Sequence, residues 1–283
     1  MAKSPLNVSE VLETWREMLA ASGQSAGIVL GGDEGLIGLA QQRFSDGGTL
    51  PALWARPLSE LAGLSSVPGE LLVLLVAAEG EGEVVASLAQ AVPKGGAVLA
   101  VDEGAAATGR ISPLSNGCVR LSFSDTPRGW RRLFESCAEA AGDRGVALGR
   151  RYPALRPAAA RRVVYRTAAQ NALIGLAFFV PGADLPAMML NQVRMVLSIA
   201  GVYGEEIGRE RAVELLGVVG MGFGLRALAR SFLRSTPGIG WAIKASTGYT
   251  GTVAMGLAAL KYFEKGAPAA TSRVVALAGS LRR

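Results

Sequence analysis

Residues 71–78 read LLVLLVAA, and GEGE follows at 80–83. Eight apolar residues in a row are too few to cross a bilayer, which takes about 20. A run with no polar alternate must be covered on both faces, as in the middle of a parallel sheet. The segments on either side repeat the theme. Before it, Ala26–Leu30 is a second apolar run that ends in GGDEG, and Leu36–Phe44 reads as a helix. After it, Val84–Val92 reads as a helix, and Ala97–Val101 (AVLAV) is a strand stopped by DEG. Cys118–Phe123 (CVRLSF) is a further strand, and Gly129–Ala141 a closing helix. At the start of the chain, Val8, Val11, Leu12, Trp15 and Leu19 recur at helical spacing over Val8–Ala21. Buried strands alternating with helices predict an α/β domain with a parallel sheet. We place it at residues 1–148.

The Arg- and Pro-containing segment 149–157 reads as a linker, and the character changes after it. Residues 158–283 show no strand alternation and predict an all-α, glycine-rich domain. Its helices are expected at Ala158–Val180, Leu185–Tyr203, Ala212–Leu233 and Gly240–Phe263, with breaks at Pro181-Gly182 and Pro237-Gly238. Charge divides the same way. Residues 151–283 carry 17 Lys/Arg against 6 Asp/Glu, while residues 1–150 carry 12 against 17. A basic, apolar half joined to an acidic one points to a membrane surface or an acidic partner.

Composition also excludes chemistry. The chain has no histidine, which removes the commonest general base and metal ligand. Cys118 and Cys137 are the only cysteines and read as buried free thiols. IVLGGDEG (Ile28–Gly35) sits where a phosphate loop would sit, but no Gly-Lys-Ser/Thr follows, and Asp33 and Glu34 put negative charge where phosphate would lie. GVVGMGFGL (Gly217–Leu225) has its glycines at GxGxG spacing inside a helical region, so it is no dinucleotide fingerprint. Glu79, Glu81, Glu83, Asp102 and Glu103 lie at expected strand ends and read as solvated loop residues. No catalytic residue, metal or cofactor is expected. Nucleic acid is not an expected partner, because stacking aromatics are sparse and no known module is present.

Two charge-free stretches, Thr167–Ala183 and Ala245–Leu260, fall just short of a membrane span. A buried bundle, a bundle lying on or partly in the membrane, and true spanning helices all fit this pattern. Gly248, Thr252 and Gly256 fall four apart, as do Gly220 and Gly224, which suits close helix packing. Arg161, Arg162, Arg166, Arg226, Arg230 and Arg234 are the candidates for contact with acidic lipid or an acidic partner. The N-terminus lacks the apolar core of a secretory signal, so the expected location is the cytoplasmic face of the cell membrane.

Four segments together resemble a known family. They are AARRVVYRTAAQNALIGLA (159–177), PGADLPAMMLNQVRMVLSIAGVYG (181–204), ERAVELLGVVGMGFGLRALAR (210–230) and PGIGWAIKASTGYTGTVAMGLAALKYFEKG (237–266). The stretch 158–264 is similar to the YcjF-type, GTPase-associated, membrane-associated domain of unknown function. That resemblance implies membrane association and a GTPase domain in the same chain or nearby. By the same resemblance the first half looks like a small GTPase fold with eroded motifs. Lysine and Ser/Thr are missing after Gly35, and Asp102-Glu103-Gly104 stands where a guanine-reading motif would follow AVLAV. The expectation is a non-enzymatic scaffold or regulator that self-associates and binds a protein partner, a GTPase among the candidates. The alternatives are a soluble GTP/GDP-binding protein with an atypical site and a structural subunit of a larger oligomer.

Overall fold

The computed structural model describes residues 13, 27–45, 53–61, 71–76, 96–102, 118–177, 185–205 and 240–265. The expected helices at Val8–Ala21, Val84–Val92 and Ala212–Leu233 lie outside these. The chain divides into two compact units, with a boundary between Arg162 and Val163.

In the first unit the described elements are β1 (Ile28–Gly32), α1 (Glu34–Ser45), β2 (Leu53–Pro57), α2 (Leu58–Leu61), β3 (Leu71–Val76), β4 (Gly96–Asp102), β5 (Cys118–Phe123), α3 (Pro127–Ala141) and α4 (Gly145–Arg151). The five strands form one sheet in the order β2-β1-β3-β4-β5, and every pairing is parallel. LLVLLV of β3 is central, and each of its six residues is at most 2% exposed. Covering a Leu or Val side chain stabilises by about 1.5–3 kcal/mol relative to leaving it in water, so this strand anchors the unit.

Alternation sorts the side chains by face. Ile28, Leu30, Leu71, Val73, Leu75 and Val98 join Phe44 of α1 and Trp130, Leu133 and Cys137 of α3 in one core. Phe44 meets Phe134 edge-on at 5.2 Å, and Phe123 meets Trp130 edge-on at 4.9 Å. On the opposite face Gly31 leaves the space that Leu61 and Leu74 occupy. No apolar run marks the edge strand β2. Its LWARP is partly exposed, and it carries Arg56 and a terminal Pro57, the composition that blunts a sheet edge and hides a strand from a search for apolar runs.

The segment expected to be a linker is instead part of the core. Residues 145–151 are helical, and Ala147, Leu148, Tyr152 and Leu155 belong to the same buried cluster as the sheet. The Tyr152 hydroxyl accepts a hydrogen bond from the Ile28 amide at 3.1 Å. It thereby partners the first N–H of β1. Aromatic bulk and that hydroxyl hold the segment down, although its arginines and prolines read as exposed chain.

The helices α5 (Arg156–Ala177), α6 (Leu185–Val202) and α7 (Gly240–Glu264) follow, close to the expected bounds. The fold class is thus α/β in the first half and helical in the second. Residues Val163–Ala177 of α5 fall in the second unit with α6 and α7. On α7 the buried positions Gly248, Thr252, Gly256 and Leu260 recur every four residues and form one stripe along the helix.

Candidate functional site

Three places merit description. The first is the carboxyl edge of the sheet. In the order β2-β1-β3-β4-β5 the chain reverses direction across the sheet at β1, so the crevice between the ends of β1 and β3 is the topological switch point, where open α/β sheets bind ligands. Here that crevice is zipped shut. Asp33 N–H donates to the Leu75 carbonyl at 3.1 Å, continuing the ladder past the strand end. Gly32, at φ 138°, lies so close to Leu75 that any Cβ would collide with its carbonyl. The Asp33 carbonyl accepts from Ile37 N–H at 2.9 Å to start α1. Asp33 and Glu34 supply negative charge at that helix N-terminus, where it is favoured. The amide that would face a phosphate is therefore committed to the sheet, and the helix end has its own anions. Among the described residues no cluster of three or more His, Cys, Asp or Glu is placed to hold a metal. Glu79, Glu81, Glu83 and Glu103 lie outside them.

The buried Cys137 thiol is free, and burial pushes it far above the ordinary range. It is an inert core residue and not a nucleophile.

The second place is a polar layer inside the helical unit. Thr252 of α7, Asn171 of α5 and Gln192 of α6 are each at most 2% exposed. Asn171 Nδ2 and Gln192 Nε2 both donate to Thr252 Oγ1, at 3.0 and 2.8 Å. Thr252 Oγ1 in turn donates to the Gly248 carbonyl at 2.7 Å. Asn191 Nδ2 donates to Asn171 Oδ1 at 3.1 Å. One hydroxyl thus ties three helices together, using its single proton and both lone pairs. The backbones approach closely around it. A Cβ at Gly248 would lie 3.2 Å from both the Asn171 carbonyl oxygen and Met188 Cε, and one at Gly256 would lie 2.5 Å from Val164 Cγ2.

The third place is the outward face of α5. Tyr165, Leu173 and Leu176 are 47%, 64% and 41% exposed. With exposed Ala169 they follow the helical repeat, and Arg166 and Gln170 are exposed beside them. Among the described residues no helix is long and apolar enough to cross a membrane.

Two of the expected lipid-facing arginines are engaged within the first unit. Arg162 donates to the Gly142 carbonyl at 2.8 Å, which satisfies the carboxyl end of α3. Arg161 lies 3.5 Å from Glu135 in a half-exposed ion pair. Arg166 is exposed. Arg226, Arg230, Arg234, Gly220 and Gly224 lie outside the described residues. No sequence pattern joins Asn171 and Gln192 to Thr252, since the links cross 81 and 60 residues of chain.

Comparison with known families bears on the helical half alone. Residues 147–277 match a domain of unknown function, DUF697. The match agrees with the resemblance to the YcjF-type domain. It begins at Ala147, so the DUF697 region includes Tyr152 and Leu155, which pack into the sheet core. No curated protein and no solved structure matches the chain.

Proposed function

We propose that this protein is a non-enzymatic scaffold or regulator that works at a membrane surface. Its helical half lies on or partly in an anionic bilayer. Its α/β half, a degenerate GTPase-like domain, binds a protein partner for which a GTPase is the first candidate, and the chain self-associates. The observation that carries the reading is the exposed apolar strip of α5. Leu173 at 64% and Leu176 at 41% exposure sit at one end, and Tyr165 and Arg166 at the other. That order suits a helix tilted into an interface, with aliphatic side chains toward the acyl region and an aromatic and a cation at headgroup level. The excess of 17 Lys/Arg over 6 Asp/Glu in residues 151–283 adds attraction to anionic lipid, about 1 kcal/mol for each cation near the surface.

The test is binding to vesicles of mixed phosphatidylserine and phosphatidylcholine. The double variant Leu173→Ser/Leu176→Ser is expected to lose most of the association while keeping its helical circular dichroism. Equal association of variant and wild type removes α5 from the reading.

The strand order favours one other reading, a GTP- or GDP-binding protein, because its switch point is where such a ligand would lie. The sealed contact of Asp33 with Leu75 and the carboxylates of Asp33 and Glu34 count against it. Tight binding of GDP to the purified chain would reverse that order of preference.

A further inference from the structure

The polar layer of the helical unit leaves one atom over. Gln192 is 2% exposed, and its Oε1 is buried without a hydrogen-bond donor. Its Nε2 is used, at 2.8 Å from Thr252 Oγ1. Turning the carboxamide over does not cure this. The one Thr252 proton goes to the Gly248 carbonyl, so an oxygen turned toward Thr252 would meet no proton, and the nitrogen would become the unpartnered end. A buried acceptor without a donor is costly, and native interiors supply the missing partner.

The surroundings define that partner. Asn171, Asn191, Gln192 and Thr252 are all uncharged, so among the described residues of the layer an ammonium or metal ion would meet no counter-charge. A hard cation also asks for about six oxygen ligands, and among the described side chains of this layer only Gln192 Oε1 and Asn191 Oδ1 accept no hydrogen bond. The crossing is tight, since even a Cβ at Gly248 would lie 3.2 Å from Asn171 O and Met188 Cε. The partner is therefore a small, neutral donor. We infer that the crossing of α5, α6 and α7 is an internal hydration site, in which one water molecule donates to Gln192 Oε1. Gln192 and Asn171 each use one of their two carboxamide N–H groups on Thr252, which leaves each with a second N–H that could donate to a water oxygen.

The site lies inside the stripe through which α7 packs, so the water is a structural component of the helix crossing.

The experiment counts long-lived internal waters by ¹⁷O magnetic relaxation dispersion on the full chain, wild type against Gln192→Met. Methionine keeps the length of the side chain and removes both polar ends. The expected result is one long-lived water fewer in the variant, with unchanged helix content. An equal count in the two folded proteins overturns the inference. Should Gln192→Met not fold, a high-resolution crystal structure of the wild type decides. Solvent density within hydrogen-bonding distance of Gln192 Oε1 supports the site, and a protein donor or bare apolar contact at that oxygen overturns it.

Discussion

Gln192 and Tyr152 show how single polar atoms organise this chain. The Gln192 position is neutral and desolvated, which makes it intolerant of charge. In Gln192→Glu the burial holds the carboxyl in its neutral form, so the folded pKa lies above the unfolded value of about 4.3. Between those values the folded state binds more protons than the unfolded one. Stability relative to wild type therefore falls as pH rises through about 4.3 and goes on falling until the folded pKa is passed. Denaturant unfolding at pH 4 and pH 7 should show a small loss at the lower pH and about 3–5 kcal/mol at the higher. An equal loss at both would mean that the introduced carboxyl reaches bulk water and titrates as in the unfolded chain. At Tyr152, the change to Phe keeps the buried ring and removes the acceptor for Ile28 N–H. A loss of about 1–3 kcal/mol is expected from the orphaned donor, measured by urea unfolding. Neither residue stands out in sequence. A lone Tyr between Arg151 and Pro153 looks like surface chain, and Gln192 looks like one polar residue in an apolar helix.

At the scale of elements, what could be read depended on how local the signal was. Central strands such as LLVLLV and AVLAV, and the described helices α1, α3, α5, α6 and α7, appear within a few residues of where the sequence places them. The edge strand β2 does not declare itself, because exposure on one side and a proline at its end erase the apolar run. The small-residue spacing on α7 was legible, but its partner was not. Val164 of α5 meets Gly256 across 92 positions of chain. That contact makes a prediction. Gly256→Leu forces a branched side chain onto Val164, and overpacking of this kind costs about 1–3 kcal/mol. The companion Gly256→Leu/Val164→Ala should recover part of the loss in thermal unfolding, whereas an independent site would show additive losses.

For the whole molecule, the division falls later than charge and composition imply. The Arg- and Pro-containing segment 149–157 reads as a linker, yet Tyr152 and Leu155 are buried in the sheet core, and Arg162 beyond it caps α3. A fragment ending at residue 148 lacks those groups, and one ending at residue 162 keeps them. The shorter fragment is expected to unfold at lower urea with a broadened transition, and the longer one to unfold cooperatively. Identical midpoints would mean that residues 149–162 contribute nothing. Function was less legible than fold. Fold follows from apolar periodicity, whereas the candidate sites arise from contacts between distant residues and from faces left uncovered. The proposed contact with a bilayer rests on the exposed strip of α5 and the basic excess of the second half, and that is the claim to test first. The decisive measurement is flotation of the full-length protein with phosphatidylserine-containing vesicles, washed first with high salt and then with carbonate. Retention through salt, with loss of binding in the Leu173→Ser/Leu176→Ser variant, is the predicted result. Quantitative recovery of the wild type in the vesicle-free fraction at moderate salt would contradict it.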